Sequence, residues 1–292
     1  MMSGEDTLNA LLQEVRSLRK EVSNLSKLTA PFGVYMGDGT VLTQSAQGLR
    51  FYVYADDQIL LPKLIGNRIW EPSVTRHLMS SINPDADFID VGANIGYFSC
   101  LAASRLDRKK ASVFAFEPNP RAMDLLVRNT AINWSLAKIH VSHFALAETE
   151  GEVTLFTPRR LIGNASIYDM RNPGESYGEG DTVSEVKIPT RTLDSQIAEK
   201  DRVGTIKIDV EGAELGVLRG AEEILRASKG VEVVMEWSRA QLDRAPGGAD
   251  SVLAFLDDHH LMVREIGKAE NPPIPLESLA QISYTNIFLR KD

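Results

Sequence analysis

The sequence predicts an α/β protein with a doubly wound, mostly parallel sheet. From residue 87 onward, short apolar segments with the length of buried strands alternate with segments of helical period. Strands and helices that alternate at this spacing form βαβ crossovers, which build a parallel sheet. The stretch DFIDVGANIGYFS, residues 87–99, reads as a buried strand, a glycine-containing turn and the start of a helix. Turns of this kind bind ligands at the carboxyl edge of parallel sheets.

Length, composition and charge narrow the classes of protein that the chain can represent. Its 292 residues, 43% of them apolar and 25% charged, are typical of a globular protein with a substantial core. The net charge of −8 and the pI near 5.3 argue against an extended contact with nucleic acid. We see no apolar segment with the length of a membrane span and no secretion signal, so we expect a cytoplasmic protein. The single cysteine, Cys100, is expected to be a buried, unreactive thiol.

Residues 1–30 are predicted to form an N-terminal coiled-coil helix. Between residues 5 and 28, apolar side chains recur at alternating spacings of three and four, which places six on one stripe: Leu8, Leu11, Val15, Leu18, Val22 and Leu25. This heptad pattern favours a parallel two-stranded coiled coil, so we expect a homo-oligomer through residues 5–28. Leu12 widens the stripe and leaves a trimer or tetramer open. The alternative is a single amphipathic helix packed on its own domain, because so few heptads are marginal for an isolated coiled coil.

Residues 31–80 are predicted to form a β-rich lead-in followed by a first helix. Pro31 ends the N-terminal helix, and residues 33–65 have the pattern of short strands with turns at GDG and QG. In the segment WEPSVTRHLMSSI that follows, Pro72 suits the first turn of a helix, where a backbone N–H has no helical partner in any case.

Residues 81–292 contain the predicted α/β domain. Helices are predicted near residues 95–106, 119–133, 212–227 and 249–260. Strands are predicted at DFIDVG, SVFAFEP, IHVSHFAL, GTIKIDVEG, VEVVMEW, LMVREIG and TNIFLR. The segments GEVTLFTP and VKIPTRTLD interrupt this alternation. The polar, glycine-rich loop 159–184 between them is predicted to be a mobile lid or a disordered part of an insertion.

The turn after the first parallel strand predicts the kind of ligand. The strand ends at Asp90, and Gly92 and Gly96 then let the backbone pass close to a bound molecule. A dinucleotide site would have G-x-G-x-x-G with the pyrophosphate at the helix N-terminus, and this turn lacks that pattern. The acidic residue before the first glycine disfavours a phosphate and suits a ligand with an amino group.

The second strand supplies a carboxylate at a fitting distance. Glu117 follows Gly92 by 25 residues and ends the neighbouring strand, where an acidic residue can accept hydrogen bonds from a ribose diol. Pro118 restricts the chain that leaves it. We expect the residues at the end of the third strand to border an adenine: His143, Phe144, Ala145 and Leu146.

The segments FIDVGANIGYFS, VFAFEPNP, TLD and IKIDVEGAELGVLRGA resemble the FkbM-type family of S-adenosylmethionine-dependent methyltransferases. The resemblance covers roughly residues 68–289 and implies a class I methyltransferase fold with seven strands, the last antiparallel. It also implies S-adenosyl-L-methionine as cofactor and methyl transfer to a hydroxyl of a sugar or natural product. The cofactor contacts that we predict with its help are Glu71, Asp90, Gly92, Asn94, Gly96, Glu117, Pro118, Asn119, Ala145 and Asp209.

Carboxylates at the ends of the later strands are candidates for the catalytic base. A hydroxyl is a poor nucleophile until its proton is removed, and a positioned base contributes about 10² to 10⁴ in rate. Lys207 and Asp209 share one face of their strand, and Glu236 ends the neighbouring strand. We predict Asp209 as the base or the group that orients the acceptor, with Glu236 next, Lys207 as a charge partner and His143 as a further candidate. A structural ion pair between Lys207 and Glu211 is the alternative for those two residues.

The same oxygen ligands leave a divalent metal open. Asp209, Glu211 and Glu236 could hold Mg²⁺ that orients substrate hydroxyls. The adjacent residues His259 and His260 do not have the spacing of a zinc site on a helix.

The sequence thus predicts an S-adenosylmethionine-dependent O-methyltransferase that acts on a hydroxyl of a saccharide or secondary metabolite. A methyltransferase for a small-molecule carboxylate or amine is one alternative, and a non-catalytic oligomeric scaffold protein of the same fold is another. A nicotinamide dehydrogenase would share Glu117 but would need the three-glycine turn.

Overall fold

The computed structural model describes residues 11–19, 21, 33–169, 182–268 and 272–291. The chain divides into two compact units, residues 1–32 and 33–292. In the first unit, residues 11–19 are helical (α1), and Leu11, Val15 and Leu18 are exposed on that helix. The other members of the heptad stripe, Leu8, Val22 and Leu25, lie outside the described residues. Self-association therefore stays a prediction, which light scattering of the protein in solution tests and which a monomer would contradict.

The second unit begins with the lead-in. Its three strands form an antiparallel sheet in the order β1-β2-β3, and two helices follow. The bounds are β1 (Gly33–Tyr35), β2 (Thr40–Gln44), β3 (Arg50–Tyr54), α2 (Leu60–Gly66) and α3 (Pro72–Ser81). The prediction of strands up to residue 65 was therefore wrong for the last part of this range. The side chain of Asp57 accepts hydrogen bonds from the backbone amides of Ile59 and Leu60, which starts a helix at Leu60.

The central sheet has seven strands and is the predicted parallel sheet. Its strands are β4 (Asp87–Val91), β5 (Val113–Phe116), β6 (Ile139–Ser142), β10 (Val203–Ile208), β11 (Glu232–Ser238), β12 (Leu261–Glu265) and β13 (Tyr284–Lys291). They lie in the order β12-β13-β11-β10-β4-β5-β6. β13 is antiparallel to β11 and β12, and the other neighbouring pairs are parallel. The predicted class I order with an antiparallel last strand is confirmed.

Helices cover both faces of this sheet, as the doubly wound prediction requires. They are α4 (Tyr97–Ala103), α5 (Pro120–Ile132), α6 (Leu193–Gln196), α7 (Glu214–Arg219), α8 (Glu222–Ala227), α9 (Arg239–Leu242), α10 (Gly248–Asp258) and α11 (Leu276–Leu279). Successive residues of β4 point to opposite faces. Phe88 packs in the core that contains α3, α4 and α5, whereas Ile89 packs in the core that contains α7, α8 and α10.

Two predicted elements are each divided in the structure. The segment IHVSHFAL was predicted as one strand, but it contains β6 and a separate short strand, β7 (Ala145–Leu146). β7 belongs to a second three-stranded sheet with β8 (Gly151–Pro158) and β9 (Val183–Arg191), in the order β7-β9-β8. The helix predicted over 212–227 is interrupted between α7 and α8. Gly220 lies there against the backbone of Ala147, where a side chain would overlap the carbonyl oxygen.

Two buried residues of the core, Cys100 and Trp237, can be described individually. Cys100 is fully buried, and burial raises the pKa of its thiol to about 12, as expected for an unreactive cysteine. Trp237 is fully buried and donates its indole N–H to the carbonyl of Ile282 at 2.8 Å, so it is a core residue.

Within the ranges that the structure describes, no helix is both long and apolar enough to cross a bilayer. Residues 170–181 of the predicted loop lie outside those ranges.

Candidate active site

Two adjoining cavities lie at the carboxyl edge of the central sheet. The first, called here the apolar cavity, has a volume of about 290 Å³ and is lined by residues that include Glu117, Phe144 and Leu146. The second, called the acidic cavity, has a volume of about 220 Å³ and is lined by residues that include Glu71 and Glu236. Both cavities share five lining residues: Gly92, Asn94, Ile162, Gly163 and Asp209. The turn after β4, the end of β10 and residues 162–163 therefore form the boundary at which the two cavities meet.

The two glycines of the turn have different tasks. Gly92 has a φ of +76°, and a Cβ there would overlap the carbonyl oxygen of Asp209, so no other residue fits. Gly96 has a φ of +83° and precedes α4, where a Cβ would lie 2.6 Å from a methyl group of Leu126. Gly92 borders both cavities, whereas Gly96 borders neither and is needed for the packing of α4 against α5.

Glu117 is fixed at the base of the apolar cavity. Its two carboxylate oxygens accept hydrogen bonds from the backbone amides of Asn94 at 2.6 Å and Asn119 at 2.7 Å. Burial raises its pKa to about 7, although these two amides favour the ionised form. Pro118 and Ala145, both predicted contacts, line the same cavity. The arrangement holds a buried carboxylate beside apolar walls.

The acidic cavity contains a cluster of charges around one buried ammonium group. The Nζ of Lys207 lies 2.9 Å from Oδ2 of Asp209 and 4.5 Å from the ring centre of Phe98. Burial lowers the pKa of Lys207, but the carboxylates of Asp209, Glu71 and Asp90 raise it more, so the amine is held protonated. The predicted pairing of Lys207 with Asp209 is present, and we find no pairing of Lys207 with Glu211 among the described contacts.

Three glutamates that line the acidic cavity have raised pKa values: Glu71, Glu211 and Glu236. Burial raises the pKa of Glu71 to about 7, and it raises that of Glu211 well above its ordinary value. The pKa of Glu236 is raised by burial and by Asp209, against hydrogen bonds from Tyr284 and Gln241. The pKa is shifted upward for all three glutamates, because desolvation and the crowding of like charges disfavour ionisation. Such groups accept protons more readily than ordinary carboxylates, and their ionised forms attract cations.

Backbone strain accompanies this cluster. Glu71 has a φ of +38° at the start of α3, and Glu211 has a φ of +56° in the turn after β10. Asn94, in the glycine turn, has a φ of +51°. Non-glycine residues in this region are destabilised, and such residues concentrate at functional sites. All three line the acidic cavity.

Some predicted residues support the site from outside the cavities. Asp90 is fully buried and accepts a hydrogen bond from Ser99 at 2.5 Å, and its Oδ1 has no partner among the residues that the structure describes. Asn119 begins α5 by accepting a hydrogen bond from the amide of Arg121. His143 is exposed and contacts the carbonyl of Pro118 at 3.1 Å, so the structure does not bring it to the carboxylates.

The side chains proposed for Mg²⁺ all border the acidic cavity. Within the described ranges, however, no group of three or more His, Cys, Asp or Glu side chains has a geometry that could hold a metal ion. Lys207 supplies positive charge beside Asp209 instead. The magnesium site therefore gains no support from the structure.

Sequence reasoning missed several lining residues. Lys63 and Trp70 come from the lead-in, with the Nζ of Lys63 lying 4.7 Å from the Trp70 ring centre. No pattern around them predicts a site. Tyr284 begins β13 and also lines the acidic cavity. Tyr284 could have been predicted from the direction of β13. An antiparallel strand begins at the edge of the sheet where its parallel neighbours end, so its first residue lies beside the ends of those strands.

The fold is that of a class I methyltransferase-type α/β protein, with an acidic cavity at the carboxyl edge of its central sheet. The sequence matches the model of the methyltransferase FkbM domain over residues 90–265, more than half of the chain. The chain belongs to the FkbM methyltransferase family, and it is a methyltransferase.

Three relatives have similar identities. Methyltransferase sdnD of Sordaria araneosa is 29% identical over 187 residues, which cover 56% of this chain and 71% of sdnD. The hexuronic acid methyltransferase AglP of Haloferax volcanii is 29% identical over 159 residues, 54% of this chain and 59% of AglP. The 2-O-methyltransferase NoeI of Sinorhizobium fredii is 29% identical over 201 residues, 65% of this chain and 79% of NoeI.

A solved structure of methyltransferase FkbM from Methylobacillus flagellatus aligns with a TM-score of 0.43 at 16% identity. The alignment covers 72% of this chain and 44% of that one.

Proposed function

We propose that the protein is an S-adenosylmethionine-dependent O-methyltransferase that acts on a hydroxyl of a saccharide or secondary metabolite. The observation that carries the proposal is the junction of the two cavities at Gly92 and Asp209. One cavity suits the apolar, ribose-bearing half of the donor. The other suits its cationic half and an acceptor.

The residues present fit the donor. Glu117 would accept hydrogen bonds from the ribose hydroxyls, and Phe144 and Leu146 would border the adenine. The Oδ1 of Asn94 is buried without a hydrogen-bond partner in the described part of the chain, so it is free to accept one from the donor's amino group, with Glu71 close by. When bound, the donor supplies a methyl group already activated on a sulfonium. The surrounding carboxylates would repel the pyrophosphate of a dinucleotide, which argues against a nicotinamide dehydrogenase.

The side chains of the acidic cavity would prepare the acceptor. Asp209 is partly exposed, with 28% of its side-chain surface accessible, and its Oδ2 is held by Lys207. It would orient the acceptor hydroxyl and accept its proton. Glu236 is the second candidate, because its raised pKa makes it a stronger proton acceptor than an ordinary carboxylate. His143 is not part of the proposal, since it lines neither cavity.

The lining of the acidic cavity favours a polyhydroxylated acceptor. Carboxylates, the Tyr284 hydroxyl and Asn164 offer hydrogen-bond partners for several hydroxyls, and Trp70 offers an aromatic face. The names of AglP and NoeI point to related chemistry in two relatives. These features support a saccharide hydroxyl as the acceptor.

The test is transfer from a donor with a labelled methyl group to a panel of saccharides, secondary metabolites, small acids and amines, read by mass spectrometry. We expect a product 14 mass units heavier, from one methyl replacing one hydrogen, with a saccharide hydroxyl or metabolite hydroxyl as the modified position. In Asp209→Asn, we expect donor binding to persist while transfer falls by about 10² to 10⁴. The matched control is Asp194→Asn, which changes a residue of α6 that lines neither cavity and accepts hydrogen bonds from the first turn of α8. Transfer exclusively to acids or amines, or unchanged transfer by Asp209→Asn, contradicts the proposal.

A further inference from the structure

A short segment of the chain forms a roof over the junction of the two cavities. Residues 159–164, called here the roof segment, follow β8 and contain a single helical turn, Ile162–Asn164. Ile162 is buried, and both Ile162 and Gly163 line both cavities. A Cβ on Gly163 would lie 2.9 Å from Nδ2 of Asn94, so the roof segment rests directly on the glycine turn.

The lead-in holds the roof segment through one buried carboxylate. Asp57, which is 4% exposed, accepts hydrogen bonds with Oδ1 from the amides of Ile59 at 2.9 Å and Leu60 at 2.6 Å. Its Oδ2 accepts one from the amide of Ile162 at 3.3 Å. One side chain therefore both starts α2 and fixes the roof. The lead-in lies before residue 90, where the match to the family model begins.

Two further connections have the same effect. The side-chain amide of Asn119 donates to the carbonyl of Ile162 at 3.2 Å, and the backbone amide of Asn119 donates to Glu117. The roof segment is thus linked to the carboxylate at the base of the apolar cavity. At the surface, Asp56 lies 3.0 Å from Nε of Arg159 and 3.1 Å from a guanidinium nitrogen of Arg121.

We propose that Asp57 is a positioning residue of the donor site. It keeps the roof segment down over the junction, and this lengthens the time that the donor stays bound. The inference rests on the proposed function, because it takes the two cavities as the donor site. The buried hydrogen bond to Ile162 is its physical basis, since an unpaired buried amide is strongly disfavoured.

Asp57→Asn separates the two tasks of this side chain. The amide oxygen of Asn can still accept from the amides of Ile59 and Leu60, so α2 is retained. Its NH₂ group would face the N–H of Ile162, and two donors do not bond. The matched control is Asp194→Asn, because Asp194 accepts from the amides of Glu223 and Ile224 at the start of α8, both at 2.9 Å.

Two measurements on the full-length protein test the proposal. In hydrogen exchange without ligand, we expect Asp57→Asn to lose protection in residues 159–164 while residues 60–66 keep theirs. In stopped-flow experiments with S-adenosylhomocysteine, we expect dissociation to be about tenfold faster, as the loss of one hydrogen bond to a charged group implies. Asp194→Asn should leave both quantities unchanged.

The outcomes separate this inference from the proposed function. Unchanged protection of residues 159–164 in Asp57→Asn overturns the inference whether or not the ligand binds. Lost protection with unchanged dissociation also overturns it, because the roof then has no influence on the donor. Failure of the wild-type protein to bind S-adenosylhomocysteine instead overturns the proposed function, and the exchange experiment still decides whether Asp57 holds the roof.

Discussion

The two edges of the central sheet both bury carboxylates but treat them in opposite ways. At the amino edge, Glu232 contacts His77 at 2.9 Å, Ser81 at 2.8 Å and Arg290 at 2.6 Å. Burial raises the pKa of Glu232, but these three partners lower it by more. The pKa of Glu232 therefore lies below its ordinary value. At the carboxyl edge, burial raises the pKa of Glu71 to about 7.

The two edges also differ in whether their buried carboxylate oxygens have hydrogen-bond partners. Glu232 has hydrogen-bond partners for both carboxylate oxygens. At the carboxyl edge, the Oδ1 of Asp90 and the Oε2 of Glu214 are buried without partners among the described residues. A buried polar group without a partner is costly and calls for an explanation, such as a ligand or a water that binds there. In the described part of the chain, the carboxyl edge therefore keeps unpaired buried oxygens beside the two cavities, whereas the carboxylate of Glu232 at the amino edge is paired through both of its oxygens.

The largest expected effect on stability comes from replacing Lys207, whose ammonium group lies among the carboxylates of the carboxyl edge. Lys207→Met keeps the length of the side chain but removes its charge from beside Asp209 and Glu71. We expect a loss of about 3 kcal/mol in unfolding free energy at pH 8, because the carboxylates lose a buried partner. Since acids with raised pKa values become neutral as the pH falls, part of this loss should be recovered at pH 6. Urea unfolding at both pH values measures it.

The control for Lys207→Met is Lys110→Met. Lys110 forms an ion pair with Asp85 in which both side chains are 55% exposed, so little change in the free energy of unfolding is expected. Equal stability of Lys207→Met and the wild type at pH 8 would mean that the acids do not depend on this lysine.

A smaller loss is expected at the amino edge. Glu232→Gln removes the charge that His77 and Arg290 share, and we expect about 2 kcal/mol less stability in urea unfolding. Donor binding should stay within about twofold of wild type, because binding at the other edge does not involve this carboxylate. Glu152→Gln, which changes a largely exposed pair with Lys187, is the control. A marked loss of donor binding in Glu232→Gln would break the distinction between the edges.

The smallest expected effect is the change of ligand affinity with pH. Burial raises the pKa of both Glu71 and Glu117 to about 7, so these carboxyls lose protons between pH 6 and pH 8. A positively charged ligand binds the ionised form better, and we expect its affinity to rise by up to about tenfold over this interval. Calorimetry with an S-adenosylmethionine analogue that has an ammonium in place of the sulfonium measures the rise, with S-adenosylhomocysteine, an uncharged thioether at this position, as the less sensitive control. A flat or falling profile would contradict the assigned charges.

The sequence predicted the half of the site that lies close to the strands. Gly92, Glu117 and Asp209 follow the ends of three strands that are neighbours in the sheet, β4, β5 and β10, and parallel strands bring such residues to one edge. The roof segment and Asp57 could not be predicted in this way. Their contact joins residues 105 positions apart, and nothing in the local pattern records it.

The error at the third strand has a local cause. Apolar residues lie on both sides of Ser142 and His143, so the segment was predicted as one strand although the chain leaves β6 there and enters another sheet as β7. Ala145 still lines the apolar cavity after this change of direction, whereas His143 is exposed. The period of a strand gives the face of a side chain but not the place where the strand bends.

The central claim is that the carboxyl edge binds the methyl donor through Glu117. Titration calorimetry of S-adenosylhomocysteine into the wild-type protein and into Glu117→Ala tests it most directly, with thermal unfolding of both to verify the fold. We expect one ligand per chain in the wild type, an affinity at least about 100-fold weaker in the variant, and no binding of NADH. Equal affinities in the two proteins, or binding of NADH instead, would contradict the account.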